Sequence, residues 1–262
     1  MTARLLALDT STDLLVAALL APSAGGGAGL GWVEEAGGAL ASSRLIPALM
    51  GLLADAGLRL ADVQAIGFGQ GPGAFTGLRT ACAVAQGLAL AHETPLLAID
   101  SLLIVAEDAR HQAQAIAAAP TAADVCPDWW VAMDARMDEV YAAAYHHGPQ
   151  GWQARVAPAL WTLPALAAAW AADPPAQVAG NAITAFASRL PWGTAHRVPQ
   201  CQHRAGALAR LTLAAWQRGA AMPPDLALPL YLRDKVALTT DERRQRQASA
   251  QALIPPQPLP RP

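Results

Sequence analysis

The chain has 262 residues, of which 53% are hydrophobic and 15% are charged. That composition supports a substantial buried core and excludes a chain that is disordered over most of its length. The formal net charge of -2 argues against a large basic surface for nucleic acid, so we expect any RNA partner to be held by another protein.

Cysteine usage and apolar runs bear on the cellular setting. The three cysteines are odd in number, widely separated and form no CxxC pair, which argues against a disulfide framework or a zinc knuckle. Asp9 and Asp13 interrupt the N-terminal apolar run too early for a signal peptide. The apolar run at 81–91 is too short to span a membrane and contains Gln86. We therefore expect a cytoplasmic protein with no membrane contact.

The N-terminal segment recurs in the middle of the chain. Residues 6–20 and 131–145 each consist of an apolar strand, an Asp, a three-residue turn, a second Asp and another apolar strand. In this pairing Asp9 matches Asp134, nearly half the chain away. The alternative is two unrelated hairpins, since Asp is common in turns. The repeat predicts a duplicated protein.

The elements that follow the two hairpins also correspond, as judged from apolar periodicity and from capping and turn residues. In the first half, the predicted elements are a strand at 31–36, a helix at 43–56 capped by Ser42 or Ser43, a strand at 65–68, a helix at 75–91, a strand at 96–99 and a helix opened by Ser101. In the second half, after a hairpin at 130–146, they are a strand at 156–160, a helix at 163–172 capped by Thr162, a strand at 177–179, a short helix up to Pro191, a strand at 197–198 and a helix at 205–218.

Each half therefore predicts the order β-β-β-α-β-α-β-α, which builds a mixed sheet with helices on its faces. Two such halves occur in actin-like and sugar-kinase-like proteins, so we expect a duplicated, actin-like α/β fold. The predicted divisions are 1–103 for the N-terminal half, 104–222 for the C-terminal half, 223–239 for a segment that packs back on the body, and 240–262 for a disordered Pro-rich tail.

The turn after the first strand is a candidate phosphate site. In a nucleotide-binding protein of this fold, backbone N–H groups and hydroxyls at Thr10 and Ser11 would hold phosphate. An acid at the position of Asp9 would hold a metal ion. The alternative is an Asx or ST turn that only closes the hairpin.

The glycine-rich stretch at 69–79 is the second candidate. It links a strand to a helix, where free N–H groups and the helix dipole favour an anion, and Gly71 and Gly73 are its phosphate-loop candidates. It is not a P-loop, because the GxxxxGK[ST] spacing and the lysine are missing. The alternative is a tight turn that lets the strand and the helix pack closely.

The sequence contains no recognisable catalytic or metal-binding pattern. None of the six histidines forms an HxxxH or HExxH pair, and no serine lies in a GxSxG motif. For Asp134 and Asp138, the repeat favours the interpretation as turn residues over the interpretation as paired catalytic acids. We therefore predict no catalytic residue, no metal and no cofactor for this chain itself.

Four motifs together resemble the TsaB (YeaZ) family, namely LALDTST, GPGAFTGLR with AQGLAL behind it, VAMDARMDEVYAA and PLYLRDKVA. The resemblance covers about residues 4–238. It implies the duplicated actin-like (ASKHA, RNase-H-like) fold and a part in making threonylcarbamoyladenosine beside the anticodon of tRNAs that read ANN codons. The chain departs from the family pattern at Ala41, where members often have histidine, and at Ala81 and Ala83, where they often have glycine.

The resemblance also implies partners. It implies a non-catalytic scaffold that pairs with the catalytic paralogue TsaD, while the ATPase TsaE joins the complex and a homodimer forms when the chain is alone. ATP and metal are then expected on the partner subunits, and tRNA is expected to be met only through the complex. The alternative is an ATP-dependent kinase or transferase that uses Asp9 and Asp134, although only Gly180 and Asn181 stand where an adenosine loop is needed. A metallopeptidase lacks its metal motif.

The helix at 75–91 indicates where a partner would bind. Between residues 81 and 91 only Gln86 is polar, so this helix needs apolar cover on more than one side. The neighbouring helix is one source of that cover within the chain. The alternative, which the family resemblance favours, is that both helices present a shared face to a TsaD-like chain or to a second copy. The residues predicted for that interface are Leu45, Leu49, Leu52, Thr80, Ala83, Val84, Gly87 and Ala91.

Overall fold

The computed structural model describes residues 3–22, 27–116 and 128–233, which form ten β-strands and six α-helices. The strands are β1 (Leu5–Asp9), β2 (Leu14–Pro22), β3 (Ala28–Ala36), β4 (Ala65–Gly71), β5 (Leu96–Asp100), β6 (Trp129–Asp134), β7 (Glu139–Gly148), β8 (Gly151–Thr162), β9 (Gln177–Ala179) and β10 (His196–Val198). The helices are α1 (Ala41–Asp55), α2 (Phe75–Leu90), α3 (Ser101–Ile116), α4 (Leu163–Ala172), α5 (Ala182–Ala185) and α6 (Arg204–Gln217).

The strands form two five-stranded sheets with the same topology. The first has the order β3-β2-β1-β4-β5, and the second has the matching order β8-β7-β6-β9-β10. In each sheet the first three strands are an antiparallel meander, and the last two join it in parallel. The predicted duplicated α/β fold is confirmed.

The central strand of each sheet explains the sequence repeat. Every residue of β1 is buried, as expected for a strand covered by helices on both faces, and it reads as a nearly continuous apolar run. The acid at the end of that run, Asp9, is matched by Asp134 at the end of β6. Both acids therefore lie where their sheets meet the turn of a hairpin.

The helices form layers around the two sheets. Helices α1 and α2 cover one face of the first sheet, and α6 covers the other together with α3. Helix α3 also packs against β6, β7 and β9 of the second sheet, whose outer face carries α4 and α5. The predicted division between residues 103 and 104 falls inside α3, because that helix serves both sheets.

Some predicted boundaries are wrong. Helix α1 begins at Ala41, and a 3-10 turn leads directly into it, so neither Ser42 nor Ser43 caps it. The Ser43 hydroxyl instead donates to the carbonyl oxygen of Leu40 at 3.0 Å. Strand β4 continues through Gly71, where a loop was predicted, and α5 ends at Ala185 rather than near Pro191.

The N-terminus of α4 follows its prediction. The Thr162 hydroxyl accepts a hydrogen bond from the Ala165 N–H at 3.3 Å, which satisfies one of the N–H groups left free at a helix start. We expect Thr162→Ala to lower the free energy of unfolding by about 1 kcal/mol in urea denaturation. The exposed Thr184→Ala is the control, and equal stability of the two variants would contradict a capping role.

Residues 222–231, here called the strap, lie along α2 and the edge of β5. Met222 pairs with Leu96 at the sheet edge, and the Leu230 N–H donates to the carbonyl oxygen of Gln70 at 2.8 Å. The predicted segment 223–239 is described only to residue 233, and the predicted tail 240–262 lies outside the described residues. None of the helices in the described ranges is long and apolar enough to cross a membrane.

Candidate functional site

The carboxylate of Asp9 is fully buried at the end of β1 and is paired with a cation from a distant part of the chain. Its Oδ2 atom accepts hydrogen bonds from Arg204 Nε at 2.7 Å and from Ser11 Oγ at 3.0 Å. Arg204, the first residue of α6, is only 2% exposed. Its Nη2 atom donates to Ser11 Oγ at 3.0 Å and to the carbonyl oxygen of Ser101 at 3.2 Å. The charge of Asp9 is thus balanced within the protein.

Burial and pairing act in opposite directions on the pKa of Arg204. Burial alone lowers this pKa because it penalises the charged form, whereas the Asp9 carboxylate raises it, and the net shift is upward. The guanidinium therefore stays charged. Removing either member of the pair would leave the other as an uncompensated buried charge.

The glycine-rich stretch packs directly on the turn that follows Asp9. A Cβ atom added at Gly69 would lie 1.8 Å from Asp9 Oδ1, and one added at Gly77 would lie 1.8 Å from the carbonyl oxygen of Thr10. The Thr10 hydroxyl donates to the carbonyl oxygen of Gly77 at 2.7 Å. Glycine is required at both positions, because a side chain would collide with the Asp9 carboxylate or with the backbone of the turn. This is the close-packing alternative for the motif.

The remaining phosphate-loop candidates are held in the same way. A Cβ atom at Gly73 would lie 2.3 Å from the carbonyl oxygen of Ser11. Gly71 has a φ of +118°, and its N–H donates to Ser101 Oγ at 3.1 Å. The fold therefore brings the five predicted phosphate-site residues together, but their polar atoms bond to one another and to neighbouring protein groups.

The corresponding turn of the second half is built differently. Asp134 is half-buried, and its N–H donates to Asn181 Oδ1 at 2.8 Å. Turn residues 136–138 are exposed and take left-handed backbone conformations, with φ of +63° at Arg136 and +60° at Asp138. Gly180 lies close to β6, where a Cβ atom would approach the carbonyl oxygen of Ala132 to 2.2 Å. The two Asp turns are equivalent in topology but not in environment.

Sequence reasoning missed the buried acids that join the two sheets. Glu107 of α3 accepts hydrogen bonds from Arg210 of α6 and, at 2.9 Å, from Trp152 of β8. Burial raises the pKa of Glu107, but these donors outweigh that effect and the net shift is downward. Asp108 accepts the His203 N–H at 3.0 Å at the start of α6. The only sequence signal was a pair of adjacent acids directly after the apolar first half of α3.

No group of three or more His, Cys, Asp or Glu side chains in residues 3–22, 27–116 and 128–233 is arranged to hold a metal ion. The charged groups of the site described above are instead paired with one another.

The predicted partner face on α2 is partly exposed. Ala83, Gly87 and Ala91 are exposed, whereas Thr80 and Val84 are half-buried. A Cβ atom added at Gly87 would meet no other atom within 4 Å. Around Gly87, this side of α2 is thus free of contact with the chain's other described residues.

The predicted face on α1 needs correction. Leu45 and Leu49 are 0% exposed and Leu52 is 8% exposed, all within the core between α1, α2 and the first sheet. They are not available to a partner in this structure. The exposed apolar side chains of this part of the chain are instead Leu40, at 52%, and Ile46, at 44%. The three leucines point inward because the apolar stripe of α1 covers its own sheet.

Comparison with known proteins assigns the family. The family model for TsaD, tRNA N6-adenosine threonylcarbamoyltransferase, matches residues 35–190, more than half of the chain. Solved structures of YeaZ from Pseudomonas aeruginosa, and of a protein from the same organism described as similar to peptidase YEAZ, match with TM-scores of 0.73 and 0.75. They are 35% and 34% identical to this chain, and each match covers 88% of it and 100% of the solved chain. The chain belongs to the TsaB (YeaZ) branch of the TsaD family.

Curated relatives of this TsaB branch agree. The tRNA threonylcarbamoyladenosine biosynthesis protein TsaB of Haemophilus influenzae is 37% identical over 139 residues, which cover 52% of this chain and 51% of that protein. TsaB of Escherichia coli K12 is 35% identical over 112 residues, which cover 42% of this chain and 43% of that protein. The match therefore spans about half the length of these curated relatives.

Proposed function

We propose that this chain is a non-catalytic subunit in the synthesis of threonylcarbamoyladenosine. In this proposal it pairs with a TsaD-like paralogue that transfers the threonylcarbamoyl group to the adenosine beside the anticodon of tRNAs reading ANN codons. A TsaE-like ATPase joins the complex, and tRNA is bound through the other subunits. The names of the curated TsaB relatives and the match to the TsaD family model support this pathway.

The buried pair of Asp9 and Arg204 is the observation that carries the non-catalytic part of the proposal. A kinase or transferase of this fold would use the acid at the end of the first strand to hold a metal ion beside phosphate. Here a guanidinium 2.7 Å away neutralises that acid, and the glycine-rich stretch lies against the same turn. A cation already bound to Asp9 opposes the binding of a second cation there.

The exposed side of α2 supports the pairing. Small residues at Ala83, Gly87 and Ala91 permit close approach of another helix, and their side of α2 is not covered by the described parts of this chain. The paralogue is expected to present related helices, because the TsaD family model matches from residue 35 and so includes α1 and α2.

A reconstituted modification assay tests this function. It contains tRNA, a threonylcarbamoyl donor, and the TsaD-like and TsaE-like proteins of the same organism, with or without this chain. Omitting the chain is expected to abolish modification over many turnovers, and adding it back is expected to restore the product. An undiminished rate in its absence would contradict the proposal.

We also expect the purified chain to bind no ATP and to hydrolyse none, because the groups that would hold phosphate and metal bond to one another. Isothermal titration with ATP and Mg²⁺ at millimolar concentration should give no saturable heat. Saturable binding that is lost in Ser11→Ala would favour the kinase or transferase alternative. A melting curve of the variant confirms that the loss is not a folding defect.

A further inference from the structure

The most exposed large apolar side chains in the described ranges lie in one part of the molecule. Leu228 is 69% exposed, Leu90 67% and Leu226 64%. Single exposed leucines are ordinary on protein surfaces, but a group of them marks an interaction site. Leu90 is the last residue of α2, and the other two belong to the strap, which lies along the same helix.

The strap holds its two leucines outward. Ala227, which lies between them, is 0% exposed, and its carbonyl oxygen accepts a hydrogen bond from Gln86 Nε2 at 3.1 Å. The end of the strap is fixed by Tyr231, whose hydroxyl accepts a hydrogen bond from Arg79 Nε at 3.1 Å. Because the backbone is anchored on both sides, a partner contacting these leucines would order little additional chain.

The strap adjoins the exposed side of α2. On a helical wheel of about 100° per residue, Ala83, Gly87 and Leu90 share one arc, and Cys82 and Gln86 lie beside it. Cys82 and Gln86 are the residues that contact the strap through the Ala227 carbonyl. A chain that packs on Gly87 therefore has the strap leucines at its margin.

A groove lies where α2 and the strap meet. It has a volume of about 420 Å³, and its lining includes Leu90, Ala221, Met222 and Pro223, with Glu93 as the charged member. This volume exceeds that of any single side chain, and the lining is mainly apolar. Such pockets receive the anchor side chains that dominate the energy of a protein interface.

We propose that the strap leucines and this groove extend the docking surface for the TsaD-like partner, and that the groove receives a large apolar side chain from it. This inference rests on the proposed function. The strap lies outside residues 35–190, the part that matches the TsaD family model. In this proposal the partner contacts helices that resemble its own. It also contacts the strap, an apolar surface outside the part of this chain that matches the TsaD family. The added surface helps to reach the roughly 800 Å² per subunit of a standard stable interface.

The test is titration of the TsaD-like protein with strap variants of the full chain. The double variant Leu226→Ser, Leu228→Ser is expected to weaken binding about tenfold or more, since each buried leucine contributes substantially. Ala221→Phe, which fills the groove, is expected to weaken binding as well. Leu30→Ser on β3, 39% exposed, is the matched control and should bind like the original chain. Melting curves show that each variant is folded.

The outcomes separate this inference from the proposed function. If the strap variants bind within about twofold of the original chain while Gly87→Glu does not bind, the strap inference is wrong and the proposed pairing stands. If the original chain does not bind the TsaD-like protein, both are wrong. If the strap variants change only the self-association of this chain, the surface belongs to a second copy and the inference is overturned.

Discussion

Replacing Arg204 with methionine is expected to lower the free energy of unfolding by about 3–5 kcal/mol, because the change leaves a buried carboxylate without its counter-charge. Asp9 is 0% exposed and Arg204 2% exposed, so water does not replace the lost guanidinium. Methionine has an unbranched apolar side chain that can replace the aliphatic part of the arginine side chain, so the loss of packing is small. Urea denaturation followed by circular dichroism measures the change.

An exposed ion pair provides the matched control. Arg44→Met removes a guanidinium that lies 3.8 Å from Glu35 at the surface, where such pairs contribute only about 0–1 kcal/mol. Adding Asp9→Asn to Arg204→Met should recover part of the lost stability, because no unpaired charge then remains in the core. Equal stability of Arg204→Met and Arg44→Met would contradict the role given to the buried pair.

Some helices and strands depend only on nearby residues, and for these the sequence predicted the same first and last residues that the structure shows. Helix α4 at Leu163–Ala172 and its Thr162 cap depend on residues within one turn of each other. Strand β9 at Gln177–Ala179 lies between turn residues. The two hairpins were recognised because the same apolar and acidic pattern occurs twice.

The centre of the candidate site could not be predicted in this way. Arg204 is 195 residues from Asp9 in the sequence, and no sequence feature near either residue indicates that their side chains are in contact. One signal was available, since a cation in the first turn of a helix opposes the helix dipole. That signal indicates an acidic partner but does not identify which acid it is.

The interface prediction failed on α1 for a related reason. A period of 3.6 residues shows which side chains share a face, but not whether that face points to the sheet or to a partner. Leu45, Leu49 and Leu52 share a face that points to the sheet. The segment 223–239 was predicted to pack back on the body. The position of the strap along α2 depends on contacts such as that of Gln86 with the Pro224 carbonyl oxygen, at 3.0 Å, which have no local signature in the sequence.

Gly87→Glu is expected to abolish binding of the TsaD-like partner without harming the monomer. The position is exposed on α2, and a Cβ atom there meets nothing within 4 Å. Glutamate also favours a helix over glycine by roughly 0.5 kcal/mol or more, so the variant should be at least as stable as the original chain. In the complex the carboxylate would be buried against a helix without a partner, which costs several kcal/mol.

That cost corresponds to a loss of affinity of about 100-fold or more, since each 1.4 kcal/mol is a factor of about ten. Ala168→Glu provides the control because it places the same charge on an exposed position of α4, on the outer face of the second sheet. Its binding to the TsaD-like protein should be unchanged. A loss of binding in both variants would point to a general effect of added negative charge.

Isothermal titration of the TsaD-like protein with the original chain, Gly87→Glu and Ala168→Glu is the most direct test of the central claim. We expect saturable binding by the original chain and by Ala168→Glu, and binding at least about 100-fold weaker by a Gly87→Glu protein with an undiminished melting temperature. A folded Gly87→Glu protein that binds with the affinity of the original chain would contradict the assignment of this face of α2 to the partner.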